Sequence, residues 1–269
     1  MMPTIAIIGG TGFYELLSDA DEVTVDTSYG PTSGPISVGW IADKQVAFLP
    51  RHGKKHEYLP HEVPYRANLW ALREMGVRQI LGFNTVGSLQ REYQRGELVL
   101  CDQFIERTWG RADTFFGAGK GAHLSPAEPF CDRLRKQAIS ALGNDFGTVH
   151  STATVVVTQG PRFQTRAESK WFRDMGWHVL NMTQYPEVVL ARELESCYMN
   201  LSYVSDYDVA AQEVVGAENR ESVVSHHAVL RAFSEGSERV LGAVRRIVEA
   251  FPKNQPDCSC ATAMRNATT

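Results

Sequence analysis

The sequence predicts an α/β domain, and three observations carry that prediction. Short β-rich runs alternate with stretches of helical periodicity along most of the 269 residues. Polar, glycine-bearing turns recur at the ends of those runs, the edge at which open α/β sheets bind small ligands. No linker-like stretch divides the chain, and 29.9 kDa suits one large core. Residues 1–252 are read as a single domain and 253–269 as a polar C-terminal tail.

Bulk properties narrow the function. A formal net charge of -4 with 22% charged residues gives no basic surplus to hold a nucleic-acid backbone, so nucleic acid is not an expected partner. The N-terminal MMPTIAIIGG has no basic region before its short apolar run, and no stretch approaches the length of a membrane span. A cytoplasmic protein with no membrane partner is expected. Of the five cysteines, Cys101, Cys131 and Cys197 lie in or beside apolar runs and read as buried small hydrophobes. Cys258 and Cys260 form a Cys-Ser-Cys pair in the tail. A redox clip or disulfide and a flexible tail with two free thiols fit that pair about equally.

The elements follow in order. Thr4 to Ile8 is a β-rich run ending in Gly9-Gly10-Thr11-Gly12, a pattern compatible with a phosphate cradle and with an ordinary tight turn. It lacks the P-loop lysine and the dinucleotide spacing, which disfavours a dehydrogenase. Asp26 to Leu49 reads as hairpin material with strands at Ile36 to Trp40 and Val46 to Leu49. Pro50-Arg51-His52-Gly53-Lys54-Lys55-His56 then gathers cations on a loop, either an anion site with Arg51 as a planar fork or a solvated basic turn. Val63 to Met75 is an amphipathic helix with Ala67, Trp70, Ala71 and Met75 on one face. Gln79 to Asn84 is a strand ending in a turn, Asn84-Thr85-Val86-Gly87-Ser88. Val99 to Ile105 is a strand, and the long aperiodic loop from Glu106 to Pro129 is expected to be functional or docked on a partner. Cys131 to Leu142 is a helix and His150 to Thr158 a strand.

The stretch from Thr158 to Glu187 is the most informative. A Gly-Pro turn leads through Arg162, Phe163, Gln164 and Thr165 into a helix from Ala167 to Met175. Val179 to Asn181 is a short strand, and Met182-Thr183 stands at the mouth of a further helix running to Glu195. Cys197 to Val204 is an apolar strand ending in Ser205-Asp206-Tyr207-Asp208. Ser225 to Ala250 is a long closing helix with Ser225 as its N-cap. Two carboxylates at i and i+2 share one side of an extended chain, where each raises the other's pKa. Alone, Asp206 and Asp208 fit a loop cap, a divalent-metal site or an acid pair.

Gly9-Gly10-Thr11-Gly12, Arg51-His52-Gly53, the Thr158 to Glu187 stretch and Ser205-Asp206-Tyr207-Asp208 recur in one order across nearly the whole chain. Together they closely resemble the 5′-methylthioadenosine phosphorylases, within the trimeric branch of the purine nucleoside phosphorylases. The resemblance implies an α/β/α sandwich around a central mixed β-sheet and a homotrimer. It implies phosphate-dependent cleavage of 5′-methylthioadenosine to adenine and 5-methylthioribose 1-phosphate, with phosphate as co-substrate and neither metal nor organic cofactor. Thr11, Arg51, His52, Asn84, Thr85 and Thr183 are then the phosphate ligands. Asp206 becomes the acid at purine N7 and Asp208 its partner near the exocyclic amine. Phe163 stacks on the base, Gln164 contacts it, and Met182 lies under the ribose. His123 is expected to enter the neighbouring subunit's site near the 5′ substituent, which Val229 and Leu230 line with apolar surface. His226 stands where methylthio-specific relatives carry an apolar residue, which keeps an adenosine-preferring or broad purine nucleoside phosphorylase as the alternative. A non-catalytic nucleoside sensor on the same fold is a second one.

Overall fold

β1 (Ile5–Gly9) is buried at every residue and sits inside the sheet because both its faces are apolar. The computed structural model that shows this describes residues 2–10, 13, 16–117, 119–213, 225–254 and 257–267, with the backbone alone at Glu213 and His226. β1 pairs in parallel with β4 (Lys44–Pro50) on one side and β5 (Gln79–Ser88) on the other. β3 (Ile36–Ile41) pairs antiparallel with β4, and β2 (Ser18–Val23) continues the sheet to an edge. β2 is absent from the sequence reading. Its residues, SDADEV, are exposed throughout and carry no apolar alternation, as suits an edge strand protected by charge.

β5 differs most from expectation. The predicted turn at Asn84 to Ser88 is instead a continuation of the strand, because partners remain available on both sides. β11 (Cys197–Tyr207) runs parallel to β5 as far as Tyr207↔Ser88, with a bulge between Val204 and Asp206. β10 (Val179–Asn181) pairs antiparallel with the end of β5 through Leu180↔Gly87. Two further predicted strands are each divided: β6 (Leu98–Val99) from β7 (Gln103–Arg107), and β8 (Val149–His150) from β9 (Thr154–Thr158). The cause is a change of partner at matching levels. β6 lies between β8 and β11, whereas β7 joins β9, which joins β10.

Helices cover both faces. Ala6 and Ile8 of β1 share a core with Leu69 and Leu72 of α1 (Tyr65–Glu74) and with Val188 and Leu190 of α4 (Gln184–Glu193). Ile5 and Ile7 share the opposite core with Leu134 and Leu142 of α2 (Asp132–Leu142) and Val244 and Ile247 of α5 (His226–Ala250). The two faces of one strand thus feed two layers, giving the predicted α/β/α sandwich around a mixed sheet. Trp70 is half-buried at the rim of α1, packed on Tyr29 and Phe115, while Asn68, Leu69 and Leu72 join Ala67 and Ala71 on the buried side. α3 (Arg166–Asp174) opens on a capping box between Thr165 and Glu168. Ser225 caps α5 through Ala228 N–H at 3.2 Å, as predicted. No described helix is long and apolar enough to cross a membrane.

The tail is docked. Asp257 O accepts from Arg133 Nη1 at 3.0 Å, Met264 N donates to Glu195 Oε1 at 3.2 Å, and Ala267 O accepts from His123 N at 2.8 Å. The expected loop from Glu106 is likewise fastened to its own chain. Arg111 donates to Tyr185 O at 2.6 Å and Gln159 O at 2.9 Å, and Glu193 accepts from Thr114 and Phe115.

Gly236 is a packing requirement inside α5. A Cβ there would stand 2.5 Å from Tyr203 Cζ, in a ring held by its hydroxyl bond to Ala232 O at 3.2 Å. Gly236→Ala is therefore predicted to destabilise by about 1–3 kcal/mol through overpacking, despite a helix-propensity gain of up to about 1 kcal/mol. Urea unfolding decides it; a variant as stable as the parent would show that Tyr203 yields freely.

Candidate active site

A cavity of about 550 Å³ opens beyond the C-terminal halves of β5 and β11. That volume is within the usual range for a small-molecule site, and the sheet places polar groups around it in sequence along β5. Asn84 and Gly87 both line it, three residues and so about 10 Å apart. The cationic and hydroxyl groups gather at Asn84, and the carboxylates beside Gly87.

Arg51 follows β4 and is fastened by its backbone N–H to Gly9 O at 2.9 Å. Its guanidinium is buried. Glu187 of α4 accepts from Nε and, at 3.0 Å, from Nη2; Phe83 O accepts from Nη1 at 2.7 Å and Ile8 O from Nη2 at 3.3 Å. Among the described residues these acceptors take four of the guanidinium's five N–H groups, and the fifth is open to a ligand. Burial alone disfavours the Arg51 cation, but the Glu187 carboxylate outweighs it and raises the pKa, so the cavity keeps a fixed positive charge. Tyr198 of β11 donates to Glu187 Oε2 at 2.8 Å and completes the support.

Around Asn84 the polar groups form a chain. Asn200 donates to Asn84 Oδ1, and Asn84 Nδ2 donates to Thr183 Oγ1 at 2.6 Å. Because Thr183 accepts, its own O–H proton is directed elsewhere and suits an anion. Thr183 is the N-cap residue of α4 but makes no side-chain cap bond, so the hydroxyl is committed to this network. His52 donates from Nδ1 to Tyr58 O at 2.8 Å, which fixes its tautomer, and stacks on His56 with ring centroids 4.5 Å apart. Thr85 also lines the cavity.

At the other group, Asp206 Oδ1 accepts from Ser205 Oγ at 2.6 Å. Its Oδ2 would lie 3.3 Å from a Cβ at position 87, so glycine leaves room for the carboxylate. Asp208 is buried, and its Oδ2 has no protein donor among the described residues. Burial raises its pKa to about 6, with the nearby Glu168 charge adding to the rise, while bonds from Ser169 and the Val209 N–H oppose it. The expected cause, repulsion between Asp206 and Asp208, is corrected: desolvation dominates.

Phe163 and Gln164 border the same space. Gln164 donates from Nε2 to Thr158 Oγ1 at 2.8 Å, and its Oε1 is buried without a protein partner among the described residues. Met182 presses its sulfur against Gly160, where a Cβ would stand 2.6 Å away. Val229 and Leu230 of α5 form an apolar wall with Phe13, Phe83 and Phe233. Phe163, Leu230 and Leu59 are 37%, 50% and 39% exposed at its mouth.

Twelve expected contact residues thus line one cavity: Arg51, His52, Asn84, Thr85, Phe163, Gln164, Met182, Thr183, Asp206, Asp208, Val229 and Leu230. His123 is exposed and lies outside its own chain's cavity. Thr11 and the His226 side chain lie outside the described residues. Among the described residues, the one cluster of three or more His, Cys, Asp or Glu side chains close enough to hold a metal is formed by cysteines, not by these carboxylates.

The sequence model of the Phosphorylase superfamily matches residues 4–248. The chain belongs to the phosphorylase superfamily. Within it, the chain is 46% identical over 264 residues to the S-methyl-5′-thioadenosine phosphorylase of Pyrococcus horikoshii, with 98% of each covered. It is 46% identical over 270 residues to the purine nucleoside phosphorylase of Streptomyces coelicolor, covering 97% of this chain and 94% of that one. A methylthioadenosine phosphorylase from an antarctic soil metagenomic library superposes with a TM-score of 0.91 at 37% identity, covering 100% of this chain and 93% of that one. The Schistosoma mansoni methylthioadenosine phosphorylase in complex with adenine gives 0.84 at 34% identity, with 92% and 91% covered.

Several members of this superfamily site escaped the sequence reading. Glu187, Tyr198 and Asn200 fix Arg51 and Asn84 without being foreseen. The readable signal was polarity out of place: an acid on an apolar helix, and Asn200 and Ser202 inside a strand with no exposed residue. Phe13, Phe83 and Phe233 carried no distinguishing signal.

Asp208 yields a pH prediction. Its pKa is about 6 folded against 3.8 ordinarily, so the folded chain holds this proton more tightly. That contribution is complete below pH 3.8 and is lost as pH rises through about 6. Asp208→Asn, which cannot ionise, should equal the parent near the lower value and exceed it at pH 8 by about 1–3 kcal/mol. Denaturant curves across that range test this; a variant with no pH-dependent gain would show that Asp208 ionises freely.

Proposed function

We propose that the chain catalyses the phosphorolysis of 5′-methylthioadenosine, yielding adenine and 5-methylthioribose 1-phosphate. The observation carrying this reading is one cavity that sets a fixed cation and hydroxyl cluster about 10 Å along β5 from a buried acid pair. Relatives bearing the methylthioadenosine phosphorylase name at full coverage support the choice of substrate.

In this reading phosphate binds among Thr11, Arg51, His52, Asn84, Thr85 and Thr183 and attacks C1′. The C1′–purine bond breaks as the C1′–oxygen bond forms. Phosphate charge stabilises the cationic sugar of the transition state, and Asp206 delivers a proton to purine N7 so that the base leaves neutral. Asp208 accepts from the 6-amino group. Phe163 stacks on the base, Gln164 Oε1 receives a base N–H, and Met182 supports the ribose. Val229 and Leu230 take the methylthio end. Phosphate is consumed as co-substrate and the reaction uses no cofactor.

A second reading, adenosine or a broader set of purine nucleosides as substrates, is favoured by the similarity to the Streptomyces purine nucleoside phosphorylase. His226 is the residue assigned to a 5′-hydroxyl in that case. We further propose a homotrimer in which His123 reaches the neighbour's 5′ pocket, supported by the exposed apolar rim of Leu59, Phe163 and Leu230. The same proposal places the enzyme in cytoplasmic purine and methionine salvage, where adenine and methylthioribose phosphate would be reused.

Adenine release should be measured from methylthioadenosine and from adenosine, each with and without phosphate. Phosphate-dependent release favouring methylthioadenosine is expected, with Asp206→Ala lowering turnover by about 100-fold or more and leaving the fold intact. Preference for adenosine would move the substrate to the second reading. Binding without release would leave a sensor, and full activity in Asp206→Ala would remove the acid. Light scattering should give three times the 29.9 kDa chain mass; a monomeric, fully active species would refute the shared site.

A further inference from the structure

Four of the five cysteines come from three distant parts of the chain and meet outside the cavity. Cys131 precedes α2, Cys197 opens β11, and Cys258 and Cys260 belong to the tail. Their four Sγ atoms all lie within 4.8 Å of one another, with Cys197 and Cys258 at 3.3 Å. Cys131, Cys197 and Cys260 are buried and Cys258 is half-buried. Cys131 and Cys197 are buried, as the sequence reading has them; their meeting with Cys258 and Cys260 was not foreseen, and of the two alternatives for the tail pair the flexible tail is set aside.

We propose that this cluster is a structural zinc site of four thiolates. In a tetrahedral site with Zn–S bonds of about 2.3 Å the sulfurs stand about 3.8 Å apart, a spacing that lies between the 3.3 Å of Cys197 and Cys258 and the 4.8 Å that bounds the group. The donor set is all sulfur, which selects zinc over the hard cations bound by carboxylates. Binding releases four thiol protons and leaves a net charge of minus two on the complex. The surroundings suit that charge. Cys131 stands at the N-cap of α2, where the helix dipole favours a thiolate. Arg192 directs Nη1 at Cys260 Sγ from 3.8 Å, and its buried Nε has no other protein acceptor among the described residues.

Four protein ligands leave no open position, so the site is structural rather than catalytic. Its place agrees: Cys197 and Asp206 lie nine residues apart on β11, about 30 Å. The metal fastens the tail to α2 and β11, adding to the few hydrogen bonds that otherwise hold it.

The test uses the full chain, untagged, purified with reductant and without chelator, and measures zinc by mass spectrometry. Close to one zinc ion per chain is expected. Cys258→Ser, at the least buried ligand, should retain zinc more than about tenfold less tightly and melt at lower temperature, whereas Cys101→Ser should retain it fully. Cobalt in place of zinc should give thiolate charge-transfer absorption and the visible bands of a tetrahedral site, a readout independent of the variants. Thiol titration of a second preparation, purified without reductant and then denatured and chelated, should find all five cysteines reactive. A single reactive thiol would mean two disulfides and overturn the proposal. So would a folded protein that takes up neither zinc nor cobalt, or zinc retained equally by Cys258→Ser.

Discussion

The buried pair of Arg51 and Glu187 is the constraint around which the cavity is arranged. A guanidinium removed from water is tolerable only if its charge and N–H groups are matched, and here the matching groups come from separate elements. Glu187 belongs to α4, Tyr198 to β11, and the carbonyls of Ile8 and Phe83 to β1 and β5. Removing either charge would strand the other inside the core, a loss of about 3–5 kcal/mol in comparable pairs. The pair's return is positional. An arginine so held presents its charge to an anion without reorganising, and preorganisation of this kind lowers reaction barriers.

The rest of the cavity follows from the way β5 ends. A strand that stopped at Asn84 would leave Asp206 without a neighbour. By continuing, β5 brings Gly87 beside Asp206, while the bulge between Val204 and Asp206 re-aims the carboxylates relative to the strand before them. A glycine at 87 and an extra residue in β11 are therefore one device. The first removes the Cβ that would crowd Asp206 Oδ2, and the second turns the acid toward the space so created.

These couplings explain what could be read from sequence. β1, β10, α2, α3 and α5 were legible because each carries its signal locally: an apolar run, a helical period, or caps such as Thr165 and Ser225. Contact residues were legible where they formed motifs at strand ends, Arg51-His52 and Asp206-x-Asp208 among them, and family resemblance joined those motifs into a single site. Partner exchange was not legible. The extension of β5, the division between β8 and β9, and the charged edge strand β2 depend on neighbours distant in sequence. Glu187 and Tyr198 were missed for the same reason, since their role is to satisfy a charge more than a hundred residues away.

β11 joins the two halves of the molecule's chemistry. It is buried at every residue, so the polar groups it carries must be satisfied within the fold. Its first half holds Tyr198, Asn200 and Ser202, hydrogen-bonded to Glu187, Asn84 and Gln184 respectively. At its far end Asp206 enters the cavity; at its beginning Cys197 joins the sulfur cluster. The reactive end must keep groups under-satisfied, as Asp208 Oδ2 and Gln164 Oε1 are among the described residues, because a ligand has to complete them. The opposite end bears no such demand. A closed cross-link can lie there without restricting the cavity, and fixing the start of β11 fixes the register of the carboxylates at its end.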